Sequence, residues 1–98
     1  MRRLLSIHEA AEAEINEAAD FYDIESPGLG SVFIDEIQRA IGSISEFPEA
    51  VPLVRGRVRK RLVAKFPYAL VYSIRPDEIR ILAVAHLKRR PFYWRGRR

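Results

Sequence analysis

The chain has 98 residues, 48% hydrophobic and 31% charged, with a formal net charge of +4 and no cysteine. A chain of this size makes one small domain that buries roughly two-thirds of its unfolded surface, and its composition excludes a disordered tail. The lack of cysteine excludes structural disulfides and thiolate metal sites.

The net charge conceals a division. Residues 1–50 carry three basic side chains against eleven acidic ones, whereas residues 51–98 carry fourteen basic against two acidic. A basic half that also holds Tyr68, Tyr72, Phe92, Tyr93 and Trp94 is the footprint expected of a surface that meets phosphate. The acidic half reads as solvated helix surface. No apolar run approaches the roughly 20 residues needed to span a bilayer, and Met1 to Glu9 lacks a signal-peptide core. The chain therefore reads as cytoplasmic, with no membrane partner.

In chain order, Leu4-Leu5-Ser6-Ile7 has the form of an opening strand. From Glu9 to about Glu25 the spacing of Ala11, Ile15, Ala18 and Tyr22 predicts an amphipathic helix, with Ser6 and Glu9 as a capping box. Ser26-Pro27-Gly28 breaks it. Leu29, Phe33, Ile37, Ala40, Ile44 and Phe47 predict a second helix over 29–47, stopped by Pro48, and so short a break makes the two an antiparallel hairpin. Glu49 to Gly56 reads as a loop. Three strands follow: Val58 to Lys65, Tyr68 to Ile74 and Ile79 to His86. Arg75-Pro76-Asp77-Glu78 turns between the last two. The third of these strands is apolar on both faces and hence central. Pro91 and Gly96 argue against a long helix in the basic, aromatic segment 87–98. The order is β-α-α-β-β-β, an α+β fold with a helical hairpin on a small antiparallel sheet.

Several chemistries are poorly served. His8 and His86 are the only histidines and neither has a metal-ligand cluster around it, so no metal and no cofactor are expected. Gly28-Leu29-Gly30 lacks the preceding strand and third glycine of a phosphate-cradling loop and reads as helix punctuation. The carboxylates of the first helix are too regularly spaced for acid–base work.

The basic half offers more. In Arg57-Val58-Arg59-Lys60-Arg61-Leu62, alternation sends Arg57, Arg59 and Arg61 to one side of a strand. Their mutual repulsion favours either an anionic partner or an edge strand charged against aggregation. The segment His86-Leu87-Lys88-Arg89-Arg90-Pro91-Phe92-Tyr93-Trp94-Arg95 interleaves cations with aromatics, which suits phosphates and stacked bases. Trp94 reads as core. His86, at a strand end, is placed for acid or base work near neutral pH, or for a structural hydrogen bond.

Taken in order, Glu9-Ala10-Ala11-Glu12-Ala13-Glu14, the Ser26-Pro27-Gly28-Leu29-Gly30 break, Phe66-Pro67-Tyr68-Ala69-Leu70-Val71-Tyr72, and Ile81 to His86 continued through Arg90-Pro91-Phe92-Tyr93-Trp94 resemble the RelE/ParE superfamily of toxins from type II toxin–antitoxin modules. The resemblance covers nearly the whole chain and implies a helical hairpin packed on an antiparallel sheet. RelE-like members cut messenger RNA in the ribosome without metal, the ribose 2′-hydroxyl attacking the adjacent phosphate while cations stabilise the transition state. On that branch Arg61, Arg90, Tyr93 and His86 would be catalytic, and Arg57, Arg59, Lys60, Lys88, Arg89 and Arg95 would bind the target. The residue after Tyr68, an arginine in many RelE-like enzymes, is Ala69. ParE-like members poison DNA gyrase without a catalytic site, and the two long helices have that shape. Both branches are silenced by a cognate antitoxin in a hetero-oligomer. The expected function is growth arrest by messenger RNA cleavage, with gyrase poisoning and a non-toxic nucleic-acid-binding module as alternatives.

Overall fold

Seven elements build the structure, a computed structural model that describes residues 3–98. They are β1 (Leu4–Ile7), α1 (Glu9–Glu25), α2 (Leu29–Glu46), β2 (Leu53–Arg55), β3 (Val58–Leu62), β4 (Tyr68–Ile74) and β5 (Glu78–His86). Most follow the sequence boundaries to within a residue, and the differences are informative. The first helix is capped by His8, whose Nδ1 accepts from the Ala10 amide at 3.0 Å. The expected Ser6–Glu9 capping box does not form, because Ser6 lies inside β1 and its hydroxyl donates to the Glu78 carboxylate. Within the expected loop 49–56 lies β2, three exposed residues paired antiparallel with β3. So β3 is an interior strand and the edge is β2.

The five strands run in the order β1-β5-β4-β3-β2. The last four are antiparallel neighbours, and β1 adds to β5 as a parallel edge from Leu4↔Glu78 to Ile7↔Ile81. The sheet is thus mixed, a parallel edge being possible because the whole helical hairpin separates β1 from its partner. As its apolar sequence requires, β5 is interior.

Periodicity decides what each layer buries. From α1 come Ala11, Ile15 and Ala18; from α2 come Phe33, Ile37, Ala40 and Ile44; all pack on Leu70, Tyr72, Ile79, Ile81 and Val84 of the sheet. Phe47, placed by its spacing in the α2 stripe, is 58% exposed and is the C-cap residue, where the helical periodicity no longer holds. Tyr22, Phe33, Phe66 and Tyr68 form an aromatic cluster with centroids as close as 4.9 Å, a geometry worth about 0.5–1.5 kcal/mol per pair beyond burial. The hairpin turn uses Gly28 at φ +91, open to glycine at no steric penalty. Gly30 serves a different purpose: its amide donates to Asp23 Oδ1 at 2.8 Å, and a Cβ there would lie 2.5 Å from the Ala19 carbonyl oxygen. The absence of a side chain is what lets α2 start against α1.

The opposite face of the sheet is covered by segment 87–98, a series of turns. Trp94, 7% exposed, packs on Val71, Leu82 and Ala83. This follows from a bulge in β5: Val71 pairs with Ala83 but Tyr72 pairs with Ile81, leaving Leu82 extra. The bulge lets two successive residues, Leu82 and Ala83, meet Trp94 before alternation resumes.

Candidate target-binding cleft

Between segment 87–98 and the open face of β3–β5 lies a cleft of about 200 Å³, with Lys60, His86, Arg89, Arg90, Phe92 and Tyr93 on its walls. Its floor is Val71, Ala85 and Trp94. The sheet register explains Lys60: Arg59 and Arg61 lie opposite the helix-facing residues Tyr72 and Leu70, whereas Lys60 lies opposite Val71 and faces the cleft. Arg55, on the edge strand, sets its guanidinium carbon 4.9 Å from the Phe92 ring centre, a cation–π contact that extends the basic rim.

The sequence expectations divide accordingly. Three of the four candidate catalytic residues, His86, Arg90 and Tyr93, share this cleft. Arg61 does not: it lines a separate depression between α2 and β3 with Glu36 and Arg39. Nor do Arg57, Arg59 and Arg61 form an outward triplet. Arg57 sits in the β2–β3 turn, and Arg59 donates to the carbonyls of Val51 and, at 3.5 Å, Glu49. Alternation within β3 sends Arg59 and Arg61 to the helix side, so Arg59 pins the 47–52 loop. Tyr72 does the same work, donating to the Pro48 carbonyl at 2.7 Å. Lys88 and Arg95 are exposed; among the described residues neither makes an ion pair.

Two residues that the sequence pattern does not single out organise this region. Glu14, on α1, accepts from Tyr93 Oη at 2.8 Å and from both terminal nitrogens of Arg97 at 3.0 and 3.1 Å. It also accepts from the Val84 amide at 2.9 Å. The helix pattern labels Glu14 a solvated acid, and only its contacts reveal otherwise. Arg97 lacks a distinguishing signal among so many arginines. Tyr93 is consequently a weak acid: burial, then the hydrogen bond to the Glu14 carboxylate, raise its pKa well above the ordinary tyrosine value. His86 Nδ1 accepts from the Lys88 amide at 3.0 Å, and its ring meets Tyr68 edge-on at 5.0 Å. With Nδ1 engaged, the neutral ring carries its proton on Nε2 and is a donor. Among the described residues no group of His, Asp and Glu side chains could hold a metal ion. None of the helices there is long and apolar enough to cross a membrane.

Residues 5–91 match the family model described as ParE toxin of type II toxin-antitoxin system, parDE. A solved structure titled "Chromosomal ParDE TA system from P. aeruginosa" shares the fold with a TM-score of 0.67 and 15% identity, covering 87% of this chain and 96% of that one. No curated protein matches the sequence. With a family match over most of its length, and a mixed sheet under a helical hairpin to go with it, the chain belongs to the ParE toxins of type II toxin–antitoxin systems.

Proposed function

We propose that the chain arrests growth by poisoning DNA gyrase through its basic cleft, without a chemical step of its own, and that a cognate antitoxin protein silences it. The family match over residues 5–91 carries this reading. The cleft supports it. Its tyrosine hydroxyl is committed to Glu14 and held protonated, and one nitrogen of its histidine is committed to the backbone. Lys60, Arg90 and the ring of Phe92 are left as a cationic, aromatic surface suited to adhesion rather than proton transfer. The test is to incubate the purified chain with gyrase and supercoiled plasmid and strip the protein. Linear and nicked DNA should accumulate with dose, and cells expressing the chain should show DNA breaks. A plasmid left intact at saturating protein rejects the reading.

The joining of Lys60, Arg90 and His86 on one cleft favours a second reading, metal-independent cleavage of messenger RNA. It predicts new RNA ends that persist with chelator, no DNA breaks, and loss of those ends in His86→Ala. A non-toxic nucleic-acid-binding module predicts salt-sensitive RNA binding and unaffected growth.

A further inference from the structure

The parallel partner of β5 stops early. The last β1 pair is Ile7↔Ile81, and the last bond on that edge runs from the His8 amide to the Ile81 carbonyl at 2.8 Å. From Leu82 onward that edge of β5 has no strand beside it among the described residues, and backbone groups at an unpaired edge need other partners. Side chains provide them. Glu14 Oε1 accepts from the Val84 amide at 2.9 Å, and Arg97 Nη1 donates to the Leu82 carbonyl at 3.1 Å.

These two side chains are also bonded to each other through both carboxylate oxygens, at 3.0 and 3.1 Å. Such a forked, charge-assisted pair is both strong and directional. Glu14 further takes the Tyr93 hydroxyl, and Arg89 approaches it to 3.9 Å. The guanidinium carbons of Arg89 and Arg97 lie 4.0 and 5.2 Å from the centre of the Tyr93 ring. One carboxylate on the acidic helix therefore gathers three side chains of segment 87–98 and fixes them to the sheet edge. That segment has no helix or strand of its own. The clasp locates it together with the burial of Trp94 against Val71, Leu82 and Ala83, the Arg55–Phe92 contact, the Leu87 amide on the Pro67 carbonyl and Arg80 on the Arg98 carbonyl.

We propose that Glu14 is the positioning residue of the cleft: as a surrogate partner for the unpaired edge of β5 it docks segment 87–98, and by holding Tyr93, Arg97 and Arg89 it sets the wall that the target meets. The docking stands on the contacts alone, whereas the role of the wall rests on the reading that the cleft is the target surface.

Hydrogen exchange on the full chain, with Glu14→Gln, Arg97→Gln and the control Glu17→Gln, tests the docking. Glu17 is an exposed acid one turn from Glu14, so its substitution alters net charge equally and leaves the clasp intact. In Glu14→Gln and Arg97→Gln the Val84 amide should exchange about tenfold faster, and trypsin should cut between residues 89 and 97 about tenfold faster. The Val71 amide, in the centre of the sheet, should be unchanged, as should every readout in Glu17→Gln. In Glu14→Gln the Tyr93 phenol should also titrate at lower pH. Unaltered Val84 exchange and proteolysis would overturn the clasp, as would Val71 and Val84 accelerating together. Should Glu14→Gln fail to fold, Arg97→Gln, which keeps the carboxylate, answers the same question. For the wall, gyrase-mediated plasmid linearisation should need about tenfold more Glu14→Gln protein, with Val71 exchange unchanged. Equal potency with an opened clasp overturns the positioning role. If the wild-type chain linearises no plasmid, the gyrase reading fails, and the exchange data still decide the clasp.

Discussion

Arg59 and Arg61, two residues apart on one strand, have opposite expectations once the loop is seen. Arg59 donates to the Val51 and Glu49 carbonyls and holds the 47–52 loop to the sheet, whereas the Arg61 side chain makes no hydrogen bond among the described residues. Arg59→Ala should lower unfolding stability by about 1.5–3 kcal/mol, the range for losing bonds from a charged donor. Arg61→Ala should stay within about 0.5 kcal/mol; urea denaturation of the two single variants makes the comparison. The tyrosines give a pH dependence of defined sign. Burial raises Tyr22, Tyr68, Tyr72 and Tyr93 above the ordinary value of 10.0, with Glu14 adding to the rise at Tyr93. A phenol whose folded pKa is raised keeps its proton in the native state after the unfolded chain has begun to lose it. The stability it contributes is therefore fully present below about pH 10 and falls as pH rises beyond it. Denaturant midpoints between pH 8 and 11 should be level and then decline, with Tyr93→Phe declining less steeply.

The helical hairpin is where the sequence pattern was most informative and least complete. Periods of three and four residues located both helices because their burial is one-sided, and one-sided burial writes itself into the spacing of apolar residues. The pattern does not say how closely two helices approach. Gly30 and Gly42 both sit in α2, yet a Cβ at Gly30 would lie 2.5 Å from the Ala19 backbone oxygen, and one at Gly42 would meet nothing within 4 Å. Gly30→Ala should therefore destabilise by about 1–3 kcal/mol despite its better helix propensity, because backbone cannot step aside. Gly42→Ala should stabilise by about 0.5–1 kcal/mol. Thermal melts of the pair should move in opposite directions, and parallel shifts would refute the close approach. The edge strand β2 leaves no mark in the pattern for the converse reason: three exposed residues flanked by Pro52 and Gly56 carry no buried alternation.

At the scale of the molecule the division of charge becomes a division of layers. Ten of the thirteen acidic residues lie on the two helices, and ten of the seventeen cations lie on β2, β3 and segment 87–98. A partner that covers the cleft meets Lys60, Arg89, Arg90 and the rim residue Arg55. Association with an acidic antitoxin segment should be fast at low salt and slow by about tenfold or more on moving to high salt, since steering acts over a screened distance. Stopped-flow association rates at two ionic strengths check this, and a salt-independent rate would remove charge from the account. Arg90→Ala with Lys60→Ala should flatten that dependence and leave the fold intact, both side chains being exposed.

Local spacing and composition were enough to read the element order except for β2, the helical hairpin, the interior position of β5 and the burial of Trp94. They also assigned Lys60, His86, Arg90 and Tyr93 to the basic half. Any chain displays such properties before it folds. Folding was needed to show that β1 adds in parallel, that Arg59 and Arg61 turn away from the cleft Lys60 faces, and that Glu14 leaves the solvated face to hold Arg97, Tyr93 and the Val84 amide. The parallel edge and the Glu14 clasp join residues dozens of positions apart, and the facing of β3 follows from its register with β4. A carboxylate's surroundings are set by the register of the strand it meets, and that register rests on the bulge at Leu82 and the early end of β1.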